Sequence, residues 1–318
     1  MNDTGDFFWF RLSRLPGIGP KTLWRLNAAA EARSLVLHDL IAGTAGPVGE
    51  REVPRIQALL AEQDTAPLVE EHAALQSRRV SILHPGHSCF PSGVTRHGNE
   101  FGLPPVLFAR GHLPLAHATG VAIVGSRTIE EDGIQFARGL AAELAGEGLN
   151  VVSGFAKGAD MAGHTGSLRA SGTTTVALSL GILNFEAKAE IKPLLTSTNT
   201  LVLSQFHPRA RWMARNAMAR NKLVCALSRA VVVVASGPEM DEQGRASGTF
   251  DTARTALAMN VPVFVLSPRA LRHPPVGNAA LIRMGCRELF PDDAIVKIFD
   301  VVKEPSTPRD LAPQIAMF

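Results

Sequence analysis

The stretch Val121-Ala-Ile-Val-Gly-Ser-Arg127, followed by Asn150-Val-Val-Ser-Gly-Phe-Ala-Lys-Gly-Ala-Asp160, decides how this chain is read. In each, a strand-length run (Val121–Val124, Asn150–Ser153) ends in a glycine-bearing loop and gives way to a helical pattern. The rhythm continues through strand candidates Thr174–Leu178, Leu201–Ser204, Ala230–Ala235 and Val261–Leu266. Helices are predicted at Gly133–Glu147, Asp160–Ala170, Ala187–Leu195, Arg215–Ser228 and Phe250–Met259. Alternation at this spacing predicts an α/β fold, a parallel sheet with right-handed helical crossovers. Continuous apolar runs are expected of strands covered by helices on both faces.

Working outward, residues 1–77 read as a helical N-terminal domain. Phe8–Leu15 and Leu23–Ala32 are apolar-periodic, separated by the turn Pro16-Gly-Ile-Gly-Pro20, and Val53–Ser77 is a further helical region. Residues 78–295 form the main domain. Its first part, 78–119, is a Pro/Gly/His-rich connecting layer with strand-like pieces at Val80–Leu83 and Val106–Phe108, and 120–290 is its core. Residues 296–318 are read as a C-terminal tail.

The chain has 318 residues, enough for two modest domains, with 46% hydrophobic residues and a formal net charge of +3. Its three cysteines, Cys89, Cys225 and Cys286, are widely spaced and form neither a disulfide framework nor a zinc pattern. The acidic, aromatic start lacks the form of a signal peptide, and the longest apolar run is strand-length. A cytoplasmic protein with no membrane partner is the expectation. His84, His87 and Cys89 lie close together without an evident fourth ligand, and no P-loop or nucleophile elbow is present. No metal, cofactor or catalytic constellation is predicted.

Function in such sheets sits in the loops beyond the strands' carboxyl ends. After the first strand come Gly125, Ser126 and Arg127. Glycine permits the turn, free amides and a hydroxyl hold an anion, and arginine adds a forked donor suited to phosphate. After the second come Ser153, Gly154, Lys157 and Gly158, opening directly into a helix whose first amides favour anions. Asp160 is expected to cap that helix and His164 to be a satisfied packing histidine. The third loop, after Ala230–Ala235, passes a polar insert (237–245) to Ser247-Gly248-Thr249 at another helix start. A plain tight turn or capped helix explains any one of these loops, whereas three together favour a phosphorylated ligand. A dinucleotide fingerprint is missing.

Charge placement adds to this. From Ile191 to Pro238 there is no Asp or Glu, while Lys192, Arg209, Arg211, Arg215, Arg220, Lys222 and Arg229 fall inside. Phe206, His207 and Trp212 are interleaved, offering flat faces to bases. About five phosphate contacts from such a groove give a single-strand log–log salt slope of roughly −3.5. The turn bearing Gly17, Gly19 and Lys21 has the Gly-x-Gly form of a helix–hairpin–helix, in which glycine amides approach a DNA phosphate. It also serves as a simple αα corner.

Together these segments resemble the DNA-processing protein DprA (Smf) family. Val121–Arg127, Val152–Asp160 with His164, Arg220-Asn221-Lys222-Leu-Val-Cys-Ala-Leu-Ser228, Ser247–Ala253 and Gly277-Asn-Ala-Ala-Leu-Ile282 match its motifs in order. Leu15–Gly19 and Pro105–Gly111 also fit. The resemblance implies an extended Rossmann-like domain, a homodimer, and binding of single-stranded DNA without evident catalysis. It further implies shielding of that DNA and loading of a RecA-type recombinase during natural transformation. Arg127 and the arginine-rich segment ending at Arg220-Asn221-Lys222 are its implied DNA contacts. The chain departs from the pattern at Ser179–Glu186, where relatives carry Gly-Cys-Gly-x-Asp and Tyr-Pro. It departs again in the 237–245 insert and in ending at Phe318 without the winged-helix domain of many relatives. The competing reading is a nucleotide-binding sensor or nucleotide hydrolase, with a phage-defence role as one setting and Asp160, Asp251 or Glu239 as its acid. An adaptor with a vestigial pocket is a third.

Overall fold

A computed structural model describes residues 5–43 and 51–303. Its helices are α1 (Asp6–Leu12), α2 (Pro20–Glu31), α3 (Leu37–Ala42), α4 (Glu52–Glu62), α5 (Ala66–Ser77), α6 (Ser92–Phe101), α7 (Glu131–Gly146), α8 (Ala159–Arg169), α9 (Ala214–Ala226), α10 (Gly248–Ala258), α11 (Val276–Arg283) and α12 (Ala294–Lys303). Its strands are β1 (Ser81–Leu83), β2 (Leu107–Gly111), β3 (Gly120–Val124), β4 (Asn150–Ser153), β5 (Thr174–Leu178), β6 (Thr200–Ser204), β7 (Ala230–Val233), β8 (Val263–Leu266) and β9 (Arg287–Leu289).

The strands form one sheet in the order β1-β2-β6-β5-β4-β3-β7-β8-β9. From β6 to β9 every neighbouring pair is parallel, whereas β1 with β2 and β2 with β6 are antiparallel. The fold is thus α/β and Rossmann-like, in a mixed, mostly parallel sheet. The strand pieces of the connecting layer account for the antiparallel edge.

Alternation along β3 shows how the faces are covered. Ala122 and Val124 join a core with Leu223 and Val224 of α9 and Phe250 and Ala253 of α10. Val121 and Ile123 point the other way, into a core with Ala137, Leu140 and Leu144 of α7 and Ile298 of α12. The first helices are not separate from the sheet. Phe10, Leu26 and Ile56 share one core with Ile82, Phe108, Val176 and Val202. Each such fully buried aliphatic or aromatic side chain stabilises the fold by about 1.5–3 kcal/mol.

Two expectations are corrected. Ala187–Leu195 is not a helix; only a single 3-10 turn, Lys192–Leu194, forms there. Buried Ile191 and the half-buried Lys188, which reaches the Phe155 carbonyl, hold this segment across the end of the sheet. The helical region Val53–Ser77 forms as two helices, α4 and α5, with Pro67 in the first turn of the second. Residues 296–303, read as the start of a tail, lie in α12, with Ile298 and Val302 in the core. The rest of that tail, 304–318, lies outside the described residues.

Candidate nucleic-acid interface

Strand order reverses between β3 and β7: the chain runs from β3 through β4 and β5 to β6 on one side, then returns to β7 on the other. The loops leaving β3, β4 and β7 therefore diverge around a crevice at their carboxyl ends, where open α/β sheets bind ligands. The Ser126 amide donates to the Ala235 carbonyl at 2.8 Å, tying the first and third loops together.

Glycines let the first two loops touch. Gly158 has φ +81°, and a Cβ there would strike the Ser126 carbonyl. It is also the N-cap of α8, a place expected for Asp160. Asp160 lies inside the first turn instead, where its Oδ2 accepts from the Ala156 amide at 3.3 Å. The same oxygen faces Arg220 Nη1 at 3.7 Å, an ion pair too long for a hydrogen bond. Arg220 is only 7% exposed, its guanidinium occupies the space a Cβ on Gly154 would fill, and its Nε has no hydrogen-bond partner among the described residues. Burial pulls the Arg220 pKa down, Asp160 opposes that, and Arg127 adds to it.

Lys188 joins the same cluster. Its Nζ donates to the Phe155 carbonyl at 2.8 Å and lies 4.6 Å from the Phe155 ring centroid. Burial lowers its pKa, Glu190 and Asp160 raise it, and Lys157 and Arg127 lower it again. Each of these cations thus stands within electrostatic reach of others across three loops. The exposed Arg127 guanidinium lies 5.7 Å from the ring of Trp212, itself 51% exposed. The arrangement is a cationic floor with a flat aromatic rim.

The site residues read from sequence fall into groups. Arg127 acts on the buried Arg220 of α9, and Arg127 and Lys157 both act on Lys188, on loops shaped by Gly125, Gly154 and Gly158. Ser126 Oγ accepts from the Thr128 amide at 3.2 Å and remains partly open. Arg211 and Arg215 are exposed on either side of Trp212. Ser153 is fully buried, its hydroxyl donating to the Ile123 carbonyl at 2.6 Å. Asn221 donates to the Gly248 carbonyl at 3.1 Å, and Lys222 to the Phe101 carbonyl at 3.1 Å. Ser247 caps α10 by accepting from the Phe250 amide at 3.3 Å, with Gly248 and Thr249 beside it. Gly17 (φ +69°) packs under Arg55, Gly19 is the N-cap of α2, and Lys21 is exposed on that helix. His164 is fully buried between the Thr174 hydroxyl and the Gly154 carbonyl, and burial lowers its pKa.

Lys188 escaped the sequence reading because Glu186 and Glu190 flank it, placing it just outside the acid-free run. The signal that would have found it is position: it follows β5, on the same end of the sheet as the other loops.

A model of the family described as DNA recombination-mediator protein A matches residues 81–300. The chain belongs to that family. It is the DprA (Smf) family, whose members process DNA, and the match spans the sheet from β1 almost to the end of α12. The Smf protein of Synechocystis is 28% identical over 279 residues, covering 84% of this chain and 65% of that protein. The chain therefore spans less than two thirds of that relative's length. The X-ray structure of DprA from Streptococcus pneumoniae superposes with a TM-score of 0.73 at 23% identity, over 92% of this chain and 98% of that one. DNA processing protein A from Helicobacter pylori, described for its single-stranded DNA binding mode, superposes at 0.54 and 26% identity, over 70% and 96%.

In this DprA-family chain, the two segments read above as departures from the family pattern make structural contacts. In the Ser179–Glu186 segment, the Gly181 amide donates to the Ala210 carbonyl at 2.8 Å, and Asn184 Nδ2 donates to the Arg209 and Ala210 carbonyls. That segment braces the β6–α9 loop bearing Arg211 and Trp212. The 237–245 insert forms a small hairpin closed by a Met240–Ala246 bridge and the Asp241–Arg245 ion pair.

Proposed function

We propose that this chain binds single-stranded DNA, with the phosphates over Arg127, Lys157 and Lys188 and a base against Trp212. The observation that carries this is a set of cations on three loops within electrostatic reach of one another, one of which, Arg127, lies against an exposed indole. A duplex keeps its bases stacked inside, whereas a single strand offers both a phosphate track and free base faces. Arg220, buried on Gly154, holds the floor in shape and adds charge from below. The single-strand binding of the Helicobacter pylori relative supports the same assignment.

The role is holding rather than turnover. Asp160, the acid best placed for nucleotide hydrolysis, is engaged by Arg220 and the Ala156 amide. Delivery of the strand to a RecA-type recombinase by a homodimer of this chain completes the reading and rests on the family description. A fluorescence titration with oligo-dT, a matched duplex and thymidine monophosphate tests it. Oligo-dT is expected to bind well ahead of both others; equal binding of the monophosphate would instead favour a nucleotide sensor.

A further inference from the structure

The β6–α9 loop that carries Arg209, Arg211 and Trp212 is braced by the Gly181 and Asn184 bonds to its carbonyls, and its Arg209 amide is held by one ambiguous atom. His207 Nδ1 lies 3.1 Å from the Arg209 amide, which donates to it. The same nitrogen lies 3.5 Å from Glu71 Oε1 on α5. A backbone N–H requires a bare ring nitrogen, whereas a carboxylate requires a protonated one. Both partners cannot be served at once. The proton state of His207 therefore decides which of them the loop keeps.

The surroundings give this choice room and a direction. Glu71 is nearly buried and is anchored from behind by Arg14, whose Nη2 reaches Glu71 Oε2 at 2.8 Å. Arg14 in turn lies over the Phe10 ring at 4.8 Å. The carboxylate is thus a fixed post on the N-terminal helices. His207 is half exposed and borders a cleft lined by Pro67, Leu68, Glu70, Glu71 and Arg209, so the ring has space to turn. The charged groups facing it are Glu71 and Glu70 from α5, Arg14 from the α1–α2 turn, and Arg209 from its own loop. Burial and Arg14 lower the His207 pKa, and Glu71 raises it, so the neutral, Arg209-bound state prevails at and above neutral pH.

We propose that His207 positions the Arg209–Trp212 segment for the DNA strand through a proton-decided exchange of partners: neutral, it holds the Arg209 amide, and protonated, it holds the Glu71 carboxylate. The proposal rests on the strand-binding reading and adds its control. In the protonated state the Arg209 amide is freed as a donor for a phosphate oxygen, and an imidazolium joins Arg209 and Arg211 along the track. Strand affinity rises as pH falls.

The test compares wild type with His207→Gln, whose amide oxygen keeps the Arg209 partner at every pH, and His207→Lys, a permanent cation for Glu71. His207 is at the surface, so both variants fold. Acrylamide quenching reports the loop directly, because Trp212 is exposed while Trp9 and Trp24 are buried. Between about pH 8 and pH 5, quenching in wild type is expected to titrate, and in both variants to stay flat. Oligo-dT affinity of wild type is expected to rise roughly fivefold over that range at about 0.1 M salt, the yield of one added single-strand phosphate contact. His207→Gln is expected to lack that rise, and His207→Lys to match acid wild type throughout. A wild-type quenching profile that does not titrate, or one unchanged in His207→Gln, overturns the proposal. If oligo-dT binds tightly with the same pH profile in all three proteins, the exchange is wrong and the strand reading stands. If quenching titrates as expected but oligo-dT does not bind, the strand reading is wrong, and with it the positioning role.

Discussion

At Gly154 a methyl group would fall inside the Arg220 guanidinium, so Gly154→Ala must displace either the arginine or the β4–α8 loop. The expected loss is about 1–3 kcal/mol, the usual range for overpacking a filled site, read by urea unfolding. Strand affinity should fall as well, because the displaced loop carries Lys157. Lys188 is also legible at this scale. Burial and two neighbouring cations hold its pKa below the ordinary lysine value. A lowered lysine pKa means the charge is lost at a lower pH than usual, so strand binding should weaken on the alkaline side before ordinary lysines titrate. Lys188→Arg, which keeps its charge, should remove that alkaline limb. An identical profile in the variant would show that Lys188 is not a contact.

Among the elements, the central strands were the most readable. Asn150–Ser153 and Thr174–Leu178 agree with β4 and β5 residue for residue, because continuous apolar or β-branched runs buried on both faces leave little alternative. Helix α6 was unreadable, since Ser92–Phe101 is mostly polar and buries only Val94 and Gly98. Its place is set by distant residues: the Trp24 indole lies against Gly98, and its Nε1 donates to the Leu103 carbonyl at 2.7 Å. Ala187–Leu195 differs in the opposite way: Pro193 removes an N–H and disfavours helix at Lys192, so the helix formers around it yield to the anchorage of Lys188 and Ile191. The Gly277-Asn278 motif is likewise explained only by contacts remote in sequence. Asn278 is fully buried and donates to the Val234 and Leu266 carbonyls, both at 2.9 Å, while accepting from the Ser236 amide at 2.8 Å. It clamps the ends of β7 and β8. Asn278→Ala strands these groups and should cost roughly 2–4 kcal/mol by chemical denaturation; a loss within the scatter of surface substitutions would contradict the clamp.

Across the whole molecule, the first helices and the sheet share one core, so what happens at α1 bears on the main fold. Asp6 at the start of α1 bonds His84 just beyond β1 at 3.2 Å, and that bond holds its pKa below the ordinary carboxylate value. A lowered carboxylate pKa contributes stability that is present above the unfolded value and lost as pH falls through the folded one. Asp6→Asn should therefore lower the melting temperature near neutral pH and narrow the difference from wild type as the solution is acidified into and below the carboxylate range. A gap that widens on acidification would contradict this sign. The sequence alone revealed the sheet, its order of motifs and the loop-borne cations Arg127 and Lys157. It did not reveal which cations converge, because Ser153, Asn221 and Lys222 turn to backbone partners and Lys188 arrives from a segment masked by acidic neighbours.

The central claim, that Arg127 and Lys188 hold the phosphates of a single strand, is tested most directly by the salt dependence of oligo-dT binding. Wild type, Arg127→Ala and Lys188→Ala are titrated over a series of salt concentrations. Each substitution is expected to weaken binding and to make the log–log slope shallower by about 0.7, the share of one single-strand phosphate contact. Slopes that stay parallel to wild type in both variants would contradict the account.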